Sequence, residues 1–138
     1  MQGMISMRCM ATALAVLAVL AVAMPLGASE RQGDDDYARD VQPVFTAHCI
    51  KCHGAEKQES GLRLDAGEGV LRGGDSGVAV VAGEPAESLL IQAIEGKSDT
   101  VSQMPLKAAP LASEQVAVLR PWIDAGAKVP ANNASLAK

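Results

Sequence analysis

The chain has 138 residues, with 12 basic and 16 acidic side chains and a formal net charge of −4. That length holds one domain, and the acidic balance argues against nucleic acid or an anionic membrane surface as a partner. Tyr, Phe and Trp occur once each, so aromatic core-fillers are scarce and something other than side chains has room at the centre.

Arg8 is the one charge among residues 1–29. An apolar run over 11–24 follows, broken by Pro25 and Gly27, with the small residues Ala28 and Ser29 ahead of Glu30. This order describes a secretory signal peptide over 1–29 and places the mature chain in the periplasm or another exported compartment. The rival reading is an uncleaved membrane anchor, because 9–29 gives 21 uncharged residues. The apolar core is short for a span, which favours cleavage. Without 1–29 the chain carries 11 basic and 16 acidic side chains, a surface suited to a basic protein partner.

Residues 30–36 are polar and read as a flexible lead-in, with Asp34, Asp35 and Asp36 well placed near a helix N-terminus. Tyr37, Val41, Val44 or Phe45, and His48 recur at helical spacing, with Pro43 in the first turn. Residues 54–61 are loop-like, and "LRLD" at 62–65 alternates like a short extended piece. The glycines of "GEGVLRGGDSG" at 67–77 predict tight turns; a phosphate cradle would need a strand, a helix and a Lys-Ser/Thr ending that are missing. "VAVV" at 78–81 reads as extended. A helix then opens with Pro85 at its first position, carries Leu89, Leu90 and Ile94 on one face, and stops at Gly96. Residues 97–112 read as a loop. Ser113 caps a last helix running to about Ala125 and closed by Gly126, its face made of Val116, Leu119 and Ile123 with Trp122 beside them. Pro121 should kink it. The domain spans 37–128, and 129–138 is a tail.

The chemistry concentrates in "CIKCHG", 49–54. After the leader, Cys49 and Cys52 are the remaining cysteines, and His48 and His53 are the two histidines. A structural zinc site takes four ligands, typically from two separated pairs, and here no second pair exists. A thioredoxin-like dithiol needs an α/β setting with the motif at a helix start, whereas here a helix leads into the motif and a loop leaves it. A simple Cys49–Cys52 disulfide stays chemically open. C-x-x-C-H fits covalent haem attachment best: Cys49 and Cys52 form thioethers to one haem c, and His53 is carried under the iron.

For the second axial position, His48 sits one residue before Cys49 and reads as an ordinary helix residue at the cofactor's edge. Met104 is more telling. Five of the six methionines lie within residues 1–24, and Met104 stands before Pro105 in an irregular segment, 51 residues beyond His53. A lone Met there is a poor core-filler, so Met104 is expected as the ligand, a vacant or Lys-bound sixth site being the alternative. Arg63 and Arg72 read as surface charges, with a weaker reading as donors to haem propionates.

The succession "VQPVFTAHCIKCHG", "SGLRLD", "GGDSG", "GEPAESLLIQAI", "MPL" and "LRPWIDAGA" resembles the planctomycete-type cytochrome c domain, over roughly 37–127. The resemblance implies an all-α fold, a small cytochrome c-like arrangement of three to four helices around one covalently bound haem, with short extended segments. It implies that the first and last helices cross, with Phe45 against Trp122. It also implies Cys49 and Cys52 as thioether positions, His53 as proximal and Met104 as distal iron ligand. The chain departs from the family pattern at Leu106, where a second proline is usual, and at Pro121, in a helix normally continuous. The implied function is a monohaem electron carrier rather than an enzyme, working with redox protein partners. The alternatives are a haem-based sensor in which Met104 is displaced by a small ligand, and a non-haem interaction domain with a Cys49–Cys52 disulfide.

Overall fold

Pro43 shapes the first helical segment. In the computed structural model, which describes Gly33 and residues 36–130, a π-helical turn at Tyr37–Val41 passes directly into α1 (Gln42–His48). A regular α-helix would set the Pro43 ring against the carbonyl four residues earlier, and the wider turn falls where that clash would arise. Tyr37, Val41, Val44 and Phe45 are buried and His48 is exposed, so the apolar face is the expected one. The proposed leader, 1–29, and residues 131–138 of the tail lie outside the described residues, as do Asp34 and Asp35.

A 3-10 turn at Glu59–Gly61 follows, and then α2 (Gly67–Arg72). This helix takes the first half of the stretch where glycine-rich turns were expected, while Gly74 and Gly77 do close a tight turn, each N–H donating to the other's carbonyl at 3.0 and 2.9 Å. Its glycines serve close packing instead: a Cβ on Gly69 would lie 2.7 Å from the Arg63 carbonyl oxygen. Neither 62–65 nor 78–81 pairs into a strand. Among the described residues there is none, and the isolated bridges His53–Gln58 and Gly74–Gly77 are the nearest approach to one.

The next helix also starts later than its sequence suggested. Residues 84–87 form a turn, and α3 covers Leu89–Ile94. Ser88 is the cause. It is fully buried and extended at ψ 117°, and its hydroxyl accepts the Val81 N–H at 2.9 Å and donates to the Glu84 carbonyl at 2.9 Å. Those local bonds hold the turn and delay the helix.

The last helix, α4 (Ser113–Asp124), is not interrupted at Pro121, whose ring lies on the exposed side. Its cap differs from expectation too. Ala112 occupies the cap position, and Gln115 Oε1 accepts the Ala112 N–H at 2.9 Å. Gly126, at φ 101°, closes the helix as expected.

Tyr37, Phe45 and Trp122, one each in the whole chain, meet in one cluster. Tyr37 and Trp122 centroids are 5.7 Å apart, Phe45 and Trp122 6.1 Å, and Tyr37 and Phe45 6.5 Å. Leu64, Val70, Ile91, Leu119 and Ile123 complete the buried core, with Val129 of the tail packed against it. The described residues thus form an all-α fold with extended connections. No helix among them is long and apolar enough to cross a membrane.

Candidate functional site

The motif folds as a tight turn at the end of α1. Both Cys49 N–H and Ile50 N–H donate to the Phe45 carbonyl, at 2.8 and 3.0 Å; then Cys52 and His53 N–H donate to the Cys49 carbonyl, at 3.1 and 2.9 Å. The following strip is fastened back onto it. Glu59 N–H reaches the Cys52 carbonyl at 3.0 Å and Leu64 N–H reaches the His53 carbonyl at 2.7 Å. Cys49, Cys52 and His53 are therefore held by backbone bonds on two sides, independently of their side chains.

The side chains are left for other work. Cys49 is half-buried and Cys52 exposed, and the two thiols are not bonded to each other. Burial pushes the Cys49 thiol up to about 12, so this thiol stays protonated at neutral pH. Ring Nδ1 of His53 is buried without a hydrogen-bond partner. Leaving a buried polar atom unpaired costs about 1–3 kcal/mol, and such an atom in a native protein asks for a partner from outside the chain. Among the described residues no three His, Cys, Asp or Glu side chains gather as a metal cluster would require. Two separate thiols and an adjacent imidazole with an unpaired nitrogen are a donor set that fits a covalently tethered haem.

Met104 sits apart from this turn, on a loop docked onto α3. Its N–H donates to the Ala93 carbonyl at 2.9 Å, and the Gln103 amide donates to the Ile94 carbonyl at 3.3 Å. The side chain is half-buried and the Met104–Pro105 peptide is cis. Leu106 is 59% exposed. The sulfur is thus carried on a segment with its own anchor rather than packed in the core.

His48 stands on the surface, its Nε2 2.6 Å from Gln115 Nε2. Gln115 Oε1 is occupied by Ala112 N–H, so the amide donates and His48 Nε2 accepts. Arg72 is exposed. Arg63 is half-buried, and its Nε and Nη2 donate to Asp65 Oδ1 and Oδ2 at 2.9 and 2.7 Å. Asp65 itself, 1% exposed, is the residue sequence reasoning missed. The signal was the alternation of "LRLD", which puts Arg63 and Asp65 on one side of an extended strip.

An open groove of about 470 Å³ lies between α3 and α4, lined by Gln92, Glu95, Lys97, Thr100 and Arg120 among others. None of Cys49, Cys52, His53 or Met104 lines it.

No curated protein and no solved structure matches the chain. The family model described as Planctomycete cytochrome C matches residues 49–106, from the first motif cysteine to just past Met104, and the match supports a planctomycete-type cytochrome c domain over that stretch.

Proposed function

We propose that this chain is an exported monohaem c-type cytochrome that carries single electrons. The observation that supports it most is the Cys49–His53 turn within the family-matched stretch: two unbonded thiols beside an imidazole whose buried nitrogen has no partner. Cys49 and Cys52 would tether one haem c, and His53 and Met104 would hold its iron. When bound, the haem supplies a one-electron iron couple.

The protein's own part is holding and shielding. The Phe45 carbonyl fixes the start of the motif and Leu64 N–H fixes its end, so His53 is presented on a rigid backbone. Met104 is presented from α3 through the Ala93 carbonyl. With His53 and Met104 both holding the iron, no iron site would be open to a substrate, which favours a carrier over an enzyme or gas sensor. The acidic balance suits basic redox protein partners. The leader-like order of residues 1–29 supports work outside the cytoplasm, on a membrane if that segment stays uncleaved.

The test is the intact mass and visible spectrum of protein from a host that attaches haem c. A chain heavier by one haem after denaturation, beginning near Glu30, is the expected result. A haem-free chain lacking two hydrogens, made beside a control cytochrome that matures normally, would give the site to a Cys49–Cys52 disulfide. Rapid carbon monoxide binding by the ferrous form would favour the sensor.

A further inference from the structure

Asp65 is a buried carboxylate, and a buried ion pair is by itself weak evidence of a role in stability. It is 1% exposed and held by a fork from Arg63, whose side chain is 28% exposed. Desolvating such a pair is costly, and an apolar pair of similar size is often equally stable. The carboxylate's field is felt inside the core. Burial first, and then Asp65, push the Tyr37 phenol up to about 12, and the Tyr37 hydroxyl is itself buried without a hydrogen-bond partner.

The pair is also rigidly placed relative to His53. Leu64, between its two members, donates its N–H to the His53 carbonyl at 2.7 Å. On the other side, the bare Gly69 backbone of α2 lies against Arg63, where a Cβ would come within 2.7 Å of both the Arg63 Cβ and carbonyl oxygen. A fixed charge pair is thus joined by one hydrogen bond to the backbone of the expected proximal ligand.

We infer that the Arg63–Asp65 pair sets the reduction potential of the haem carried on His53, Asp65 lowering it and Arg63 offsetting that effect. This rests on the cytochrome reading above. A negative charge held in a low-dielectric interior favours the ferric over the ferrous state, and a positive charge does the reverse. The two residues are positioning and tuning groups; neither is an iron ligand.

The experiment measures the midpoint potential and visible spectrum of haem-loaded wild type, Asp65→Asn, Arg63→Gln and the double variant. Asp65→Asn should raise the potential and Arg63→Gln should lower it, with the axial-ligand bands unchanged and the double variant near wild type. Single variants that shift the same way, or leave the potential unmoved with intact spectra, overturn the proposal; simple loosening of the fold would give the former. If Asp65→Asn does not fold, Arg63→Gln decides alone: a lowered potential with an intact spectrum supports the inference, and an unchanged or raised one sinks it. A wild-type chain without covalent haem would remove the cytochrome reading itself, an outcome visible by mass before any potential is taken.

Discussion

Trp122 stands edge-on to Phe45, with ring centroids 6.1 Å apart and planes at 84°. The contact joins the last helix to the helix that delivers Cys49, and Phe45 also receives the Cys49 and Ile50 N–H groups on its carbonyl. One residue thus takes part in both the helix crossing and the start of the motif. The crossing implied by resemblance alone is present here as a ring contact, and Tyr37 closes it on the third side.

Removing the indole should therefore reach the motif. Trp122→Ala deletes two aromatic contacts and the indole N–H bond to the Lys128 carbonyl at 2.8 Å, and truncating a buried Trp costs about 3–5 kcal/mol. Trp122→Phe keeps a ring but loses that bond, worth about 0.5–1.5 kcal/mol. Thermal melts of the haem-loaded protein should rank wild type above Trp122→Phe above Trp122→Ala. Equal melting temperatures for all three would mean that the cluster does not hold the helices together.

Gly69→Ala is expected to destabilise, against helix propensity. In an open helix the change gains about 0.5–1 kcal/mol. Here the new methyl would meet the Arg63 backbone at 2.7 Å, and overpacking of that kind costs about 1–3 kcal/mol. Backbone cannot move aside as a long side chain can, so the clash should win. A denaturant midpoint below wild type is the expected result; a higher midpoint would show that α2 is free to slide.

What could be read in advance follows the periodic signals. Tyr37, Val41 and Phe45, like Leu119 and Ile123, repeat at helical spacing and are buried as that spacing implies. Cys49, Cys52 and His53 stand out in the sequence because three reactive groups within five residues leave few chemical options. The errors lie where non-local contacts outweigh local propensity. Gly67 and Gly69 look like turn residues, yet they sit in α2 because backbone from 63 and the tail at Val129 press against them. Ser88 hid a turn through its hydroxyl, and Gln115 took the capping role from Ser113 by reaching back to Ala112. Asp65 was passed over because nothing in one sequence says that a charge is buried.

Acid should weaken the α3–α4 contact. Lys97 first, and then Arg120, hold the Glu95 carboxyl below its ordinary value, with Arg120 Nη2 at 2.6 Å and Lys97 Nζ at 2.8 Å. Because the folded value is the lower one, the pairing contributes fully above the unfolded carboxylate value of about 4.3. It is lost as pH falls from there through the depressed folded value. Largely solvated pairs of this kind are worth about 0.2–1 kcal/mol. Glu95→Gln should reduce stability at pH 7 by that order and flatten the dependence below pH 5. Identical pH–stability curves for the two proteins would mean that the cluster is decorative.

Met104→Ala should separate the iron ligand from the loop that carries it. The loop's anchors use backbone and the Gln103 side chain: Met104 N–H to the Ala93 carbonyl, and the Gln103 amide to Ile94. Alanine keeps the first and leaves the second untouched, so the fold should survive while the thioether disappears. Sulfur ligation raises a haem's potential; its loss should lower the potential, abolish the sulfur-to-iron charge-transfer band and open the ferrous form to carbon monoxide. Stability should fall modestly, because Met104 is only half-buried. A variant whose spectrum and potential match a wild type that itself lacks the sulfur-to-iron band would take the ligand role away from Met104, leaving a sixth site that is vacant or bound by lysine. Repeating the spectrum with Lys51, Lys57, Lys97, Lys107, Lys128 and Lys138 each changed to Ala would then tell those two apart, since a lysine-ligated iron must change with one of them and a vacant site with none.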